Sequence, residues 1–182
     1  MMKIRSTLAL VAVAALSACA TQGTMMAPFS QAALPEAVKV PAGHLVALET
    51  SAAGVITYQC RVKKDMAGQF EWVFVGPDAG LKDRRGQGLG KYYGPPATWE
   101  SGDGSRVTGA QLAVAPAGAG SIPLQLVKAN PATGMGAMQG VSYIQRVNTQ
   151  GGVAPTAMCG AATLDQKQAV KYTADYIFWR AA

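Results

Sequence analysis

Apolar and polar positions alternate along much of this chain, in short runs separated by glycine and proline. In residues 55–62, VITYQCRV, every second side chain falls on one face of an extended strand, and that face holds Ile56, Tyr58, Cys60 and Val62. Residues 169–180 repeat the pattern, with one face formed by Val170, Tyr172, Ala174, Tyr176 and Phe178. A period of two is typical of β-strands with one buried face.

Further runs of this kind bring the number of predicted strands to at least seven; they occupy residues 44–50, 70–75, 106–115, 122–129 and 141–149. Residues 51–54, SAAG, predict a hairpin turn between the run 44–50 and the run 55–62. Gly76 and Pro77 predict that the run 70–75 ends there. Residues 76–104 have so little regular pattern that they predict a long loop. Short strands with frequent turns favour one all-β domain, an antiparallel β-sandwich or barrel-like fold with long loops and little helix.

The first 18 residues predict a signal peptide and not a part of this domain. Lys3 and Arg5 precede an apolar segment, residues 7–16. A helix of that length spans about 15 Å, whereas a membrane-spanning helix must cross roughly 30 Å. The segment therefore has the length of a secretory signal and is too short for a transmembrane anchor.

The end of this segment, LSAC at residues 16–19, resembles a bacterial lipobox. The resemblance implies that Cys19 receives a diacylglyceryl group and becomes the N-terminus after cleavage; an ordinary signal peptide cleaved near ACA is the alternative. Ala20 follows the cysteine, where an aspartate would indicate retention in the inner membrane. We therefore expect a lipoprotein of the outer membrane of a Gram-negative bacterium, facing the periplasm. The expected organisation is a flexible tether over residues 19–34 and a β domain over residues 35–182.

The charge of the chain does not indicate a nucleic-acid partner. The formal net charge is +6, and it falls to +4 when cleavage removes Lys3 and Arg5. Runs of Lys and Arg are no longer than two residues, whereas a nucleic-acid surface needs basic residues clustered on one face. The expected partners are the membrane, reached through the N-terminal lipid, and an unidentified ligand or protein of the cell envelope.

Two cysteines are left once Cys19 carries the lipid, and export would place both in an oxidising compartment. Cys60 and Cys159 predict a disulfide that closes a loop of about 100 residues. Two separate buried thiols are the alternative. Neither cysteine lies in a C-x-x-C pair, so a thioredoxin-like redox role is not indicated.

The sequence offers few residues for catalysis or metal binding. His44 is the one histidine, and no G-x-S-x-G elbow accompanies it, so neither a catalytic triad nor a metal site is predicted and no cofactor is expected. Glu100 and Asp103 are a carboxylate pair that glycoside chemistry could use, although Asp103 and Gly104 also predict a hairpin turn. Arg146 needs a carboxylate partner if it is buried. With Glu100 it would form either a structural ion pair or part of a ligand-binding patch.

Several segments, in this order along the chain, resemble the DUF3455 family, a domain of unknown function: ITYQCRV, EWVFVGPDAGLKD, GKYYGPPATWESGDGSRVTG, IPLQLVKA, YIQRVNTQGGVAPTAMC and YTADYIFW. The resemblance covers about residues 35–180 and implies a mostly β, secreted or surface-located domain with no established activity. Tyr92 and Tyr93 stand where family members often have a histidine, so no metal or acid–base role is carried over. The motif residues and this tyrosine pair form the candidate binding surface: Tyr92, Tyr93, Trp99, Glu100, Asp103, Ser105, Arg146, Asn148 and Thr149.

These observations favour a non-enzymatic, lipid-anchored β domain that binds a ligand or partner in the cell envelope. The aromatic segment 76–104 beside the strand 141–149 would form the binding surface. The alternative is an envelope hydrolase of unknown type that uses Glu100 and Asp103. Inhibition of host lysozyme is a third hypothesis, and the charge of +4 argues against it because lysozymes are basic and like charges slow association.

Overall fold

Eight β-strands make up most of the structure, a computed structural model that describes residues 27–182. In chain order the strands are β1 His44–Val62, β2 Phe70–Lys82, β3 Gly88–Tyr93, β4 Thr98–Ser101, β5 Arg106–Ala115, β6 Leu124–Ala129, β7 Val141–Gly151 and β8 Lys167–Ala181. Each strand pairs antiparallel with the next, and β8 pairs with β1, so the sheet closes into an up-and-down barrel.

The predicted all-β class is confirmed, and of the two architectures considered the structure has the barrel. Closure gives every strand a partner on both sides, which protects most of the edges at which open sheets aggregate. The described residues contain no α-helix, only the 3-10 turns Glu36–Val38 and Ala161–Thr163. Within the same residues, no helix has the length and apolar character needed to cross a membrane.

The hairpin turn predicted at residues 51–54 is wrong, because these residues lie inside the uninterrupted strand β1. Gly54 is paired with Ala79 of β2 and with Tyr172 of β8. A Cβ atom on Gly54 would lie 2.1 Å from the carbonyl oxygen of Asp78. The glycine therefore permits a close approach of two strands, which the sequence alone does not distinguish from a turn.

The long loop predicted at residues 76–104 is also wrong. β2 continues to Lys82, and β3 and β4 follow within the same segment. A Cβ atom on Gly76 would lie 2.1 Å from the carbonyl oxygen of Gly94, so this glycine again marks a close contact of backbones. β2 contains Gly76, Pro77 and Gly80, and β3 and β4 have only six and four residues, so their alternation is hard to see in the sequence.

Aromatic side chains fill much of the barrel interior. Tyr92 stacks on Trp99 with ring centroids 4.7 Å apart, and Tyr176 contacts both rings. Phe178 meets Trp99 edge to face at 6.5 Å. Met138, 1% exposed, joins this core from the connection between β6 and β7. That connection lies at the end of the barrel where β7 begins, and Met138 closes this end.

A segment before β1, residues 29–40 (the N-terminal strap), packs on the outside of the barrel. Its Val38 and Val40 join a second apolar cluster, which on the barrel side contains Leu126, Val147, Ile177 and Trp179. Phe29 meets the Trp179 ring edge to face at 6.2 Å. Residues 29–34 of the predicted tether therefore contact the barrel. The predicted signal peptide, Cys19 and the tether up to residue 26 lie outside the described residues.

The predicted disulfide between Cys60 and Cys159 is confirmed. It joins the end of β1 to the connection between β7 and β8. Two further contacts hold the same connection: the Tyr58 hydroxyl donates to the carbonyl of Gly152 at 2.7 Å, and the Trp72 indole donates to the carbonyl of Ala157 at 2.8 Å. The connection is therefore attached to the barrel end opposite Met138.

Candidate functional site

A cavity of about 340 Å³ occupies the half of the barrel that Met138 does not close. Its wall is aromatic and aliphatic, with a few polar groups and one charged residue; the lining residues are Ile56, Tyr58, Phe74, Tyr92, Ala97, Trp99, Gly109, Gln111, Ile122, Pro123, Gln125, Val127 and Arg146. Trp99 is fully buried at its inner end, whereas Phe74 is 52% exposed and Gln111 is exposed at the rim. We call this space the interior cavity.

Arg146 is the one charged residue of this lining. Its Nε and one terminal nitrogen both donate to the carbonyl oxygen of Pro123, at 3.2 and 2.9 Å. Across the described part of the chain, no carboxylate forms a salt bridge with Arg146. The ion pair with Glu100 considered from the sequence is therefore wrong, and the positive charge faces the cavity without an opposite charge beside it.

Glu100 instead belongs to a cluster on the outside of the barrel. Tyr93 donates its hydroxyl to Glu100 at 2.8 Å, and Lys91 and Arg106 each lie 3.5 Å from its carboxylate. The hydrogen bond from Tyr93 and the two positive charges lower the pKa of Glu100. Because β3 and β4 alternate, Tyr92 and Trp99 point inward while their neighbours Tyr93 and Glu100 point outward.

Four tyrosines share the barrel interior with Arg146: Tyr58, Tyr92, Tyr172 and Tyr176. Burial raises the pKa of each phenol, and the charge of Arg146 lowers each pKa by a smaller amount. For Tyr172 the net result is a pKa of about 12. The phenols are therefore neutral at physiological pH and do not neutralise the guanidinium.

Trp99 carries a polar atom without a partner. Its ring is 0% exposed, and its indole Nε1 forms no hydrogen bond. Unpaired buried donors are rare in folded proteins, because each costs about 1–3 kcal/mol. Trp99 also lines the interior cavity. The lining of the cavity thus includes one residue with an unpaired buried N–H, Trp99, and one cation without a carboxylate partner, Arg146.

Asp103 and Ser105 form a structural cluster at the opposite end of the barrel. One carboxylate oxygen of Asp103 accepts from the backbone N–H and the hydroxyl of Ser105, at 2.9 and 2.6 Å, and the other accepts from the N–H of Ala137 at 2.7 Å. Ser105 in turn accepts from the N–H of Met138 at 3.1 Å. These hydrogen bonds lower the pKa of Asp103 to about 2. The hairpin turn predicted at Asp103 and Gly104 is the turn between β4 and β5, and these hydrogen bonds tie it to the connection that carries Met138.

Asn148 and Thr149 follow Arg146 along β7 but lie outside the cavity lining. Asn148 has a φ of 50° and donates to Asp175 at 3.2 Å on the outer face. Thr149 is buried and donates to the carbonyl of Ile122 at 2.6 Å. Both side chains stabilise the local path of β7 and its neighbours.

The structure thus brings three of the nine candidate residues together at the cavity, namely Tyr92, Trp99 and Arg146. Glu100 and Asp103 belong to separate clusters, so this geometry gives the hydrolase alternative no support. Sequence reasoning missed Phe74 and the rim glutamines Gln111 and Gln125. Phe74 was visible in an alternating run, whereas the glutamines carried no signal.

A second cleft, about 390 Å³ in volume, lies on the outside between the N-terminal strap and β1. It is lined in part by Glu49, Arg84 and Asp175. Arg84 and Glu49 form a salt bridge there, and Asp83 and Asp175 accept hydrogen bonds from the backbone of Arg85 and from Asn148. In the described residues, no group of three or more His, Cys, Asp or Glu side chains is placed to hold a metal ion.

The fold and the site together define a class: a closed, eight-stranded antiparallel barrel with an interior cavity that contains one arginine. The chain belongs to the family described as "Protein of unknown function (DUF3455)", which it matches over residues 41–180. The family predicted from the sequence motifs is thereby confirmed. No curated protein and no solved structure matches the chain.

Proposed function

We propose that this protein is a lipid-anchored, non-enzymatic binding protein of the cell envelope, and that it holds a small molecule in the interior cavity. The observation that carries the proposal is the guanidinium of Arg146, which is the one charged group of a mainly apolar wall and has no carboxylate partner among the described residues. A guanidinium without a carboxylate partner keeps N–H donors that an anionic ligand group can use. A ligand would provide the opposite charge that the protein itself does not place beside Arg146.

The shape of the barrel supports this proposal. Barrels of eight strands have an interior that side chains can fill or that can hold one small ligand. Here Met138 and the aromatic core fill one half of the barrel, and the other half encloses about 340 Å³. That volume falls at the small end of the range for ligand pockets, which is about 300–1,000 Å³.

Binding is tested by thermal shift, with a panel of small anionic, cationic and neutral compounds, on the protein and on two tryptophan variants. Gln111→Trp places a large ring at the cavity rim and should remove the shift that a ligand produces. Leu112→Trp is the matched control, because Leu112 is the exposed neighbour outside the cavity lining. Equal ligand-induced shifts in the two variants would contradict the cavity as the site.

Membrane anchoring rests on the LSAC motif alone. One acyl chain gives only marginal membrane binding, whereas two or three give stable binding. We expect the protein to incorporate labelled palmitate and to fractionate with outer membranes. Cys19→Ala should abolish both, and Ser17→Thr, which keeps the cysteine, should retain them. Palmitate labelling that survives in Cys19→Ala would refute the lipid anchor.

A further inference from the structure

Arg146 has unused hydrogen-bond donors as well as an uncompensated charge. A guanidinium carries five N–H donors in a planar fork. The Pro123 carbonyl accepts from Nε and from one terminal nitrogen, so it uses two of these donors. Three N–H groups on the terminal nitrogens are left, and the described residues provide no acceptor for them. Two such N–H groups side by side match the two oxygens of a carboxylate.

The lining also limits the charge of a ligand. Arg146 is the single cation among the lining residues, and no Asp, Glu or Lys accompanies it. A monoanion would be neutralised, whereas a dianion such as a phosphate monoester would keep one negative charge beside a lining that offers no second cation. Burial of an unpaired charge is strongly unfavourable. The site therefore fits one carboxylate better than a phosphate group.

The rest of the cavity wall indicates what shape and polarity the body of the ligand has. Tyr92 lies stacked with Trp99, and Tyr58 meets Phe74 edge to face with ring centroids 6.2 Å apart. Ile56, Ile122 and Val127 add aliphatic surface. Aromatic walls favour flat rings in stacked or edge-to-face contact.

We propose that the interior cavity binds a small monocarboxylate with a flat, apolar body; this proposal rests on the proposed function. The carboxylate lies on the terminal N–H groups of Arg146, and the ring system lies against the aromatic wall. The rim glutamines Gln111 and Gln125, joined by a hydrogen bond of 2.6 Å, border the entrance.

The test compares two probes of the same shape, 2-naphthoate and 2-naphthamide, by isothermal titration calorimetry at pH 7. The protein is the full chain with Cys19→Ala, so that neither lipid nor detergent competes for an apolar ligand. We expect naphthoate to bind at least tenfold more tightly than naphthamide. Arg146→Gln should lower the affinity for naphthoate about 10- to 100-fold, which is the range expected for the loss of hydrogen bonds to a charged group. The affinity for naphthamide should stay unchanged.

A second variant keeps the test decisive if Arg146→Gln does not fold. Gln111→Glu adds a negative charge at the exposed rim and keeps the oxygen that accepts from Gln125. This charge should lower the affinity for naphthoate about threefold through charge repulsion across water and leave the affinity for naphthamide unchanged. Gln87→Glu, which makes the same change in an exposed turn at the other end of the barrel, should affect neither probe.

The outcomes separate the two proposals. Equal affinity for both probes, unchanged by Arg146→Gln, would overturn the carboxylate assignment while the barrel still binds a small molecule. If octanoate, which has a flexible chain, binds more tightly than naphthoate, the proposal that the ligand has a flat body is wrong. If neither probe binds but another compound gives a thermal shift that Gln111→Trp removes, the ligand class is wrong and the proposed function stands. If no compound of the panel gives such a shift, both proposals fail.

Discussion

Gln145 is a polar side chain buried between β7 and the N-terminal strap, and its replacement tests whether the strap is an integral part of the fold. The residue is 0% exposed. Its amide nitrogen donates to the carbonyl of Val38 at 2.6 Å and to the side chain of Gln31 at 3.0 Å. Its amide oxygen accepts from the indole of Trp179 at 2.9 Å. Gln145→Leu removes all three hydrogen bonds with little change of volume.

The expected cost follows from the partners that are left behind. The Val38 carbonyl and the Trp179 indole become buried groups without a partner, whereas Gln31 still accepts from the backbone of Val40 at 2.8 Å. Each unsatisfied buried group costs about 1–3 kcal/mol. We therefore expect the free energy of unfolding to fall by about 2–6 kcal/mol.

The measurement is urea unfolding followed by circular dichroism, with amide hydrogen exchange of the strap. The matched control is Gln150→Leu, at an exposed position of the same strand, which should change stability by less than about 0.5 kcal/mol. In Gln145→Leu, the Val40 amide should also lose protection before the barrel amides. A loss below 1 kcal/mol with unchanged protection of Val40 would refute the reasoning that Gln145 fastens the strap.

Three further perturbations test other parts of the fold. Replacement of Cys60 and Cys159 by serine should cost up to about 4.7 kcal/mol in urea unfolding, since the disulfide closes a loop with a sequence separation of 99; a reducing agent should destabilise the wild type and leave this variant unchanged. Met138→Ala should cost about 2–5 kcal/mol because it empties the closed end of the barrel, while Met135→Ala, at an 84% exposed position of the same connection, should cost almost nothing. The pKa of Asp103 is lowered from 3.8 to about 2 in the folded protein, so its carboxylate stabilises the fold above about pH 4, and this contribution disappears as the pH falls towards 2. Asp103→Asn should therefore flatten the acid side of the stability profile between pH 4 and 2, and an unchanged profile would contradict the cluster.

The two incorrect predictions about the fold have one cause. Gly54 and Gly76 interrupt alternating runs, and glycine is a strong indicator of turns. In the barrel both glycines allow backbones to approach more closely than a Cβ atom would permit. That requirement arises between strands distant in sequence and leaves no local trace, so propensity alone assigned these residues to turns and loops.

The candidate site was partly predictable for a similar reason. Tyr92, Trp99 and Arg146 were named from their motifs, and alternation places each on one face of a strand. Which face is interior, and which strands oppose each other across the barrel, depends on closure between β1 and β8. Closure separates Arg146 from Glu100 and assembles Arg146 with Phe74 and Gln111, which come from distant parts of the chain.

The sequence by itself determined the β class and the family and predicted the pairing of Cys60 with Cys159, because alternation, motif order and cysteine count are properties of the chain read in one dimension. The tertiary structure decided that the sheet closes, that Gln145 and Asp103 serve the fold, and that the charge of Arg146 has no carboxylate partner. Those properties depend on which side chains from remote segments meet in space. A cavity is the volume that such side chains leave unfilled, and it exists only once the barrel has closed.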